Sequence, residues 1–433
     1  MYQGLYVWST YSFKMNPIII PRSEHPISRS MIDEEALKVL YRLHRHGFLS
    51  CLVGGSVRDL LLGKTPKDFD IATNAHPQEI HDLFKNSRII GRRFRLVHVF
   101  FKGGKVMEVS TFRSHSEYEE TLTEDGQILR TDSFGTPQED AFRRDITING
   151  LLYNIADFTI IDYVGGMADL DRQVIRTIGD PDEKFKQDPV RMIRVIRHAA
   201  RTGFRIEEKT YQAILNHREE IKQCSLSRVR DEFLRELKEG AAAPSFRMMI
   251  ETGLLFSIFP DLRRALGDNA ISSQKNRKLL LSLFDLLDRL VKTGRPIPES
   301  ILLACFVSVF IRGLPSEHPF LGKREQSHYR TQTIRWAVNH LLNPFSFPKA
   351  PKEAAIQVLT AQSNLKYSIQ KGVVPKRFRM KKYFKEAVLF FGIEAEATGR
   401  MVPAMIRRTV PSDLLPWWPK EFRRRKRFNQ RES

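Results

Sequence analysis

Cysteine is scarce in this chain, and its few cysteines are poorly placed for cross-links. The 433 residues include three, Cys51, Cys224 and Cys305, an odd number spread far apart without a CxxC or HxxxH neighbour. These spacings argue against a disulfide framework and against a zinc site. They fit a reducing, cytoplasmic compartment.

Long apolar runs are also missing. The longest candidates, residues 279–290 and 301–310, are short or interrupted by charge, whereas a bilayer span needs roughly 18 apolar residues. We therefore expect no membrane-spanning segment. Residues 1–14 lack both a basic stretch and a continuous apolar stretch, so they are a poor match to a signal peptide. We expect residues 1–30 to form an N-terminal arm.

Acidic residues are too few to balance the basic ones. Seventy Lys and Arg stand against 50 Asp and Glu, which gives a formal charge of +20 at pH 7. An excess of this size indicates a polyanionic partner, such as nucleic acid or an anionic membrane. The length also exceeds one ordinary hydrophobic core, so two or more domains are expected.

The secondary-structure pattern changes along the chain. From residue 33 to about 179, short β-rich runs alternate with helical stretches, which is typical of a domain built on a small mixed sheet. Beyond Pro181, amphipathic helices follow one another between Pro and Gly breaks. The sequence predicts an α+β fold with an arm over 1–30, a head over 31–180, a helical neck over 181–260, a helical body over 261–410 and a basic tail over 411–433.

Two aspartates flank one phenylalanine in the stretch KTPKDFDIATN, residues 64–74. On a strand, Asp68 and Asp70 would point to the same face with Cβ atoms roughly 6 to 7 Å apart, which lets two carboxylates share divalent cations. Two-metal phosphoryl transfer needs such a pair. The same residues are also compatible with ordinary acidic side chains on a solvent-facing strand.

A glycine pair lies a dozen residues upstream, in LVGGSVRDLLLG. Gly54 and Gly55 join an apolar strand to a helix that ends at Gly63. Backbone N–H groups at such a turn can approach a phosphate at the positive end of the helix. A tight turn that only requires positive φ is the alternative. The nearby aspartate pair, in a basic protein, favours phosphate binding.

The combined stretch LVGGSVRDLLLGKTPKDFDIATNA resembles the signature of the class II nucleotidyltransferases of the polymerase β superfamily. This group holds tRNA CCA-adding enzymes and bacterial poly(A) polymerases. Similar blocks follow in order: VMEVSTFR, EDAFRRDITINGLLYN, DYVGGMADL and QDPVRMIRVIRHAARTGFRI. The resemblance covers about residues 27–260. It implies a polymerase β-like nucleotidyltransferase head followed by an all-α neck and body.

The resemblance also implies roles for individual residues. Asp68 and Asp70 match the two aspartates that bind Mg²⁺ in a two-metal site, with ATP as substrate. Asp145, of the RRD block, ranks first as an additional catalytic residue and Glu108 second. Each has a structural alternative, a helix N-cap for Asp145 and a sheet-edge charge for Glu108. The remaining residues expected to contact the nucleotide in the head are Gly54, Gly55, Arg58, Arg143, Arg144 and Asn149.

The block DPVRMIR bears on the choice of base. Asp188 and Pro189 form a good N-cap and N1 pair, and Arg191 and Arg194 make a cationic stripe at the helix start. The resemblance implies that Asp188 and Arg191 bind the Watson–Crick edge of the incoming base, where adenine offers an N6 donor and an N1 acceptor. Gln187 stands where the usual EDP pattern has glutamate.

The product is indicated by further basic segments. IIGRRFRLVHVFF, residues 89–101, resembles a segment of bacterial poly(A) polymerases, as does IPRSEHPISRSMI. A basic C-terminal run suits sequence-independent phosphate contacts. Residues 373–391 form either another RNA track or a solvated amphipathic helix. The RNA-binding candidates are Arg92, Arg93, Arg95, Arg423, Arg424, Arg425, Lys426 and Arg427.

These observations predict template-independent, Mg²⁺-dependent addition of a poly(A) tail from ATP to RNA 3′ ends. Addition of CCA to tRNA is the first alternative, because it uses the same head and the same chemistry. A noncatalytic RNA-binding protein that retains the fold is the second alternative. The intact Asp68, Asp70, Gly54 and Gly55 argue against that second alternative.

Overall fold

The computed structural model describes residues 16–91, 95–114, 119–122, 128–131, 134–294, 297–314 and 322–409. Chain contacts divide the protein into two compact units. The first contains residues 1–181 together with 205–207, and the second contains residues 182–204 together with 208–433. The α+β fold class predicted from the sequence is confirmed, because the mixed sheet lies in the first unit and long helices fill the second.

The first unit contains the strands and the short helices. Its strands are β1 Ile18–Ile20, β2 Ser50–Val53, β3 Asp70–Thr73, β4 Ser87–Ile90, β5 Leu96–Phe100, β6 Val106–Thr111, β7 Glu119–Leu122, β8 Ile128–Thr131, β9 Leu151–Asn154, β10 Ile160–Asp162, β11 Val174–Ile175 and β12 Arg205–Ile206. Its α-helices are α1 Glu34–Arg45, α2 Gly55–Leu61, α3 Pro77–Leu83, α4 Pro137–Arg143 and α5 Gly166–Asp171.

Eight of these strands form one mixed sheet, in the order β1-β10-β9-β2-β3-β6-β5-β4. Strand β3 lies near its centre, antiparallel to β2 and parallel to β6. Parallel pairing sets Ile71 opposite Val109, so the start of β3 lies beside the middle of β6. Separate two-stranded sheets join β7 to β8 and β11 to β12.

Strand β2 is apolar on both faces because hydrophobic layers cover both sides of the sheet. Leu52 packs into one cluster of buried side chains, while Cys51 and Val53 pack into another with Phe112 and Ala141. Cys51 is a small core residue, since its side chain is fully buried. Burial also raises the pKa of the Cys51 thiol to about 12.

The second unit is built from helices. They are α6 Pro181–Gln187, which begins at the last residue of the first unit, α7 Val190–Thr202, α8 Glu208–His217, α9 Leu226–Lys238, α10 Ala242–Glu251, α11 Leu254–Ile258, α12 Ile271–Val291, α13 Glu299–Arg312, α14 Lys323–Leu342, α15 Lys349–Lys371, α16 Lys376–Arg379, α17 Phe384–Ala397 and α18 Ala404–Thr409. Helix α13 is apolar all round because other helices surround it. Among the described residues, no helix combines the length and the apolarity needed to span a bilayer.

Candidate active site

The aspartate pair enters the sheet differently from the sequence prediction. Strand β3 begins at Asp70, so Asp68 lies two residues before the strand and not on it, as the prediction had assumed. Phe69 packs into the hydrophobic layer on one face of the sheet, whereas Ala72 packs into the layer on the other face. Because strand side chains alternate, Asp70 shares the face of Ala72. Asp68 still contributes its charge to that face, since it raises the pKa of Asp70.

The glycine turn lies directly against this carboxylate. Gly54 has φ +73° and ψ −139°, a conformation that favours glycine, and it precedes α2. A Cβ atom on Gly54 would lie 3.7 Å from Oδ2 of Asp70 and 2.9 Å from Nη1 of Arg144. The absence of a side chain therefore lets the turn, the carboxylate and the guanidinium meet at one place.

Arg144 is held in this position by helix α4. Its Nε and Nη2 donate to Oδ2 of Asp140 at 3.2 and 2.8 Å, and Asp140 is buried. The preceding Arg143 donates from Nη1 to the carbonyl of Ser114 at 2.6 Å. The guanidinium of Arg144 therefore lies beside the glycine turn, while that of Arg143 binds Ser114. Sequence reasoning missed Asp140, although its spacing of four residues from Arg144 on a helix is a usable signal.

Negative charge accumulates at the start of β3. Restricted hydration by the surrounding protein raises the pKa of the Asp70 carboxyl, and the charges of Glu108 and Asp68 raise it further. Arg144 acts in the opposite direction and lowers this pKa. Glu108 lies on β6, where Nε2 of His98 is 3.8 Å from its carboxylate. Glu108 therefore acts on Asp70 together with Asp68, and it is the third carboxylate of this group.

Asp145, ranked first for this role from the sequence, lies in a different local setting. Its carbonyl accepts the N–H of Ile178 at 3.3 Å, and the short helix Thr147–Asn149 follows it. The residue at the cap of that helix is Ile146, so Asp145 lies one position before the cap. A catalytic role for Asp145 stays a prediction, and so does the one for Glu108.

Arg58 and Asn149 lie behind the turn and contact each other. The Arg58 side chain is only 3% exposed, with Nε and Nη2 donating to Asp59 at 2.9 and 2.7 Å. Its Nη1 donates to Oδ1 of Asn149 at 2.7 Å. The buried guanidinium therefore links helix α2 to the short helix that carries Asn149. Nucleotide contact by Arg58 stays a prediction.

The residues predicted to recognise the base lie at the start of α7, in the second unit. Helix α7 begins at Val190 with Pro189 at the cap, so the predicted N-cap role of Asp188 is wrong by one residue. The Asp188 carboxylate instead accepts Nη2 of Arg228 at 2.9 Å and lies 3.8 Å from Nε of Arg191. Arg228, on α9, was not identified from the sequence.

Arg194 on α7 and Gln187 on α6 have different surroundings. Arg194 donates from Nε to Oε1 of Glu232 at 2.9 Å, so part of the predicted cationic stripe forms an ion pair with α9. Gln187 is exposed at the end of α6. The side chain at this position is therefore directed to solvent in this chain.

Several predicted RNA-binding residues cannot be placed. Arg92, Arg93 and the basic run at residues 423–427 lie outside the described residues. Arg95 is described, and its exposed side chain lies immediately before β5. Residues 373–391 form two helices, α16 and α17, which are separated by a turn at 380–383.

The donors at the start of β3 suit a hard divalent cation. Asp68, Asp70 and Glu108 offer carboxylate oxygens, the ligand type that Mg²⁺ prefers. Restricted hydration is the main cause of the raised pKa of Asp70, and the charges of Glu108 and Asp68 add to it; added positive charge relieves this repulsion. The described residues contain no group of three or more His, Cys, Asp or Glu side chains already arranged around a metal position. Mg²⁺ is usually bound by one or two carboxylates together with substrate phosphates and water.

Comparison with known proteins gives matches across both units. The chain matches the poly A polymerase head domain over residues 50–176 and the probable RNA and SrmB-binding site of polymerase A over residues 203–266. Poly(A) polymerase I of Salmonella typhi is 43% identical over 292 residues, which cover 66% of this chain and 62% of that protein. A CCA-adding enzyme of Lactobacillus helveticus is 37% identical over 220 residues, which cover 51% of this chain and 54% of that protein.

The fold has a relative among solved structures. The CCA-adding enzyme of Bacillus stearothermophilus, solved in complex with CTP, has a TM-score of 0.63 and 24% identity, and the match covers 87% of this chain and 81% of that one. At this identity the likeness establishes a shared fold. The two matching domains and the curated relatives support the tRNA nucleotidyltransferase/poly(A) polymerase family for this chain.

Proposed function

We propose that this protein is a template-independent poly(A) polymerase that extends RNA 3′ ends with AMP from ATP. The observation that carries the proposal is the meeting of the Gly54 turn, the Asp70 carboxylate and the Arg144 guanidinium within 3.7 Å of one point. The choice of product is supported by the 43% identity to a relative named Poly(A) polymerase I. The chain spans 62% of that relative's length.

In the proposed reaction, the RNA 3′-hydroxyl loses its proton to solvent water, and its oxygen forms a bond to the α-phosphorus of ATP while the bond from that phosphorus to the bridging oxygen breaks. Pyrophosphate leaves with the electron pair. Asp68 and Asp70 would hold Mg²⁺, which when bound activates the hydroxyl and neutralises phosphate charge. The Gly54 turn leaves room for the triphosphate, and Arg144 supplies positive charge beside it. Asp140 keeps the Arg144 guanidinium aimed at the turn.

Selection of the base is assigned to the start of α7. Asp188 supplies an acceptor and Arg191 a donor, which together complement the N6 amino group and the N1 atom of adenine. Both side chains are partly buried, with exposed fractions of 21% and 18%. Partial burial strengthens such hydrogen bonds because water competes less.

The RNA strand is assigned to an exposed basic segment between α15 and α17. It contains Lys376, Arg377, Arg379, Lys381 and Lys382, all exposed. Among the described residues, these five side chains have no acidic partner. Unpaired cations are available to phosphates without loss of an existing ion pair, and they give binding that depends on salt and not on sequence. A cytoplasmic location remains part of this proposal.

Primer extension separates the candidate products. The purified protein, with Mg²⁺ and an unstructured RNA primer, should produce long ladders with ATP and not with CTP, GTP or UTP. Extension of a truncated tRNA by CTP and then ATP, stopping at CCA, would overturn the proposal. It would instead support CCA addition, the function named for the 37% identical relative from Lactobacillus helveticus. Failure to incorporate any nucleotide with Mg²⁺ or Mn²⁺, while RNA is still bound, would support a noncatalytic RNA-binding protein.

A further inference from the structure

The two oxygens of the Asp188 carboxylate have different surroundings. Oδ2 accepts a hydrogen bond from Nη2 of Arg228 at 2.9 Å and lies 3.8 Å from Nε of Arg191. Oδ1 is buried, and within the described part of the chain it accepts no hydrogen bond. A buried carboxylate oxygen without a donor is costly in free energy. Oδ1 is therefore available to a donor other than the described residues.

Arg228 is well placed to fix this arrangement. It lies in the first turn of α9, 40 residues beyond Asp188 in sequence. Helix α9 is itself bound to α7 by a second ion-pair group, in which Glu232 accepts from Arg194 and Arg197. The backbone beneath Arg228 is therefore held relative to Asp188.

The chemistry of the orphaned oxygen defines the group that it accepts. An ionised carboxylate is an acceptor only, so Oδ1 needs an N–H or O–H donor. Adenine and cytosine carry an exocyclic amino group on the Watson–Crick edge, whereas guanine and uracil place a carbonyl oxygen at the corresponding position. Two acceptors that face each other repel. An Oδ1 that is fixed toward the base therefore accepts a hydrogen bond from the amino group of adenine or cytosine and disfavours guanine and uracil.

We propose that Arg228 is a positioning residue for base selection. It holds Oδ2 of Asp188, and Oδ1 is thereby directed to the amino group of the incoming nucleotide. The inference rests on the proposed function, because it assumes that Asp188 contacts the base. Without Arg228, the carboxylate rotates, and the preference for a 6-amino group weakens while the chemistry at the phosphates continues.

The test compares ATP with purine riboside triphosphate, which lacks only the 6-amino group. Wild-type protein should prefer ATP in kcat/KM for single AMP addition to an RNA primer. In Arg228→Ala, this preference should fall by about tenfold, the value of one hydrogen bond to a charged group. Asp188→Ala should lose the preference as well. The double variant should then match Asp188→Ala, because the two residues act on one hydrogen bond.

Lys238→Ala is the matched control. Lys238 also lies on α9, has a similar exposed fraction of 45% against 51% for Arg228, and also forms an ion pair, with Glu299. Its replacement should leave the ATP preference unchanged. Arg228→Gln keeps the length of the side chain and serves as a second variant if Arg228→Ala does not fold. Melting temperatures of all variants identify any general loss of structure.

The outcomes separate the inference from the function beneath it. A wild-type protein that adds no AMP would overturn the proposed function. A wild-type protein that polyadenylates RNA, with folded Arg228→Ala or Arg228→Gln keeping the full preference for ATP, would overturn only the role of Arg228. An equal loss in Lys238→Ala would also overturn that role, because the effect would then belong to the helix as a whole.

Discussion

Gly54→Ala is the substitution that tests the site geometry most directly. The backbone at Gly54, with φ +73° and ψ −139°, is in a region that residues with a side chain rarely occupy, and such strain costs about 1 to 3 kcal/mol. The added methyl group would also lie 2.9 Å from Nη1 of Arg144, closer than van der Waals contact. The guanidinium cannot simply move aside, because its other nitrogens bind Asp140.

Gly63→Ala separates strain from contact. Gly63 follows the same helix and has φ +66°, but a Cβ atom there would meet nothing within 4 Å. Its replacement should therefore cost about 1 to 2 kcal/mol of stability through the backbone alone. We expect Gly54→Ala to lose at least about tenfold more kcat/KM in primer extension than Gly63→Ala, which corresponds to about 1.4 kcal/mol at the transition state.

The measurements are ATP-dependent primer extension and thermal unfolding of both variants beside the wild type. If Gly54→Ala keeps wild-type kcat/KM, the turn does not lie against the reacting groups and the assigned active site is wrong. Equal losses of activity in the two variants would also refute the reasoning, because strain without contact would then be sufficient. A loss confined to Gly54→Ala supports the contact with Arg144 and Asp70.

Three other predictions concern titrating groups. Asp70→Asn should lower primer extension by at least about a hundredfold, while a gel shift should show unchanged RNA binding. With EDTA present, the same variant should have a higher free energy of unfolding at pH 7, because the raised folded-state pKa of Asp70 means that its charged form destabilises the fold. Glu108→Gln removes a negative charge that raises the pKa of Asp70, so it should move the acidic limb of the pH–rate profile to lower pH. Asp145→Asn, which also replaces a carboxylate by an amide, should leave that limb in place. Burial raises the pKa of Glu236 from its ordinary value of 4.5 to about 8, although Arg197 opposes this shift. The free energy of unfolding, measured with urea, should therefore fall as the pH rises from 4.5 to about 8. Glu236→Gln should remove that decline.

Local signals in the sequence predicted much of the head. The turn between strand and helix was predicted from the pair Gly54 and Gly55 after an apolar run, and Gly54 adopts the positive φ that was given as the alternative reason for glycine there. The buried strand around Cys51 was predicted from its continuous apolar run, and both of its faces are covered. The placement of Asp68 on the strand failed because alternation of side chains gives no information about the residue at which strand pairing starts.

The sequence by itself determined the residue types of the site: a glycine pair, acidic groups and a basic chain fixed the class of chemistry, since those properties are local or compositional. Only the tertiary structure decided which partners hold them. Arg58 contacts Asn149 across 91 residues, and Arg228 contacts Asp188 across 40. Such pairs leave no periodic trace in the chain, because their distance depends on how helices and strands pack and not on spacing along the sequence.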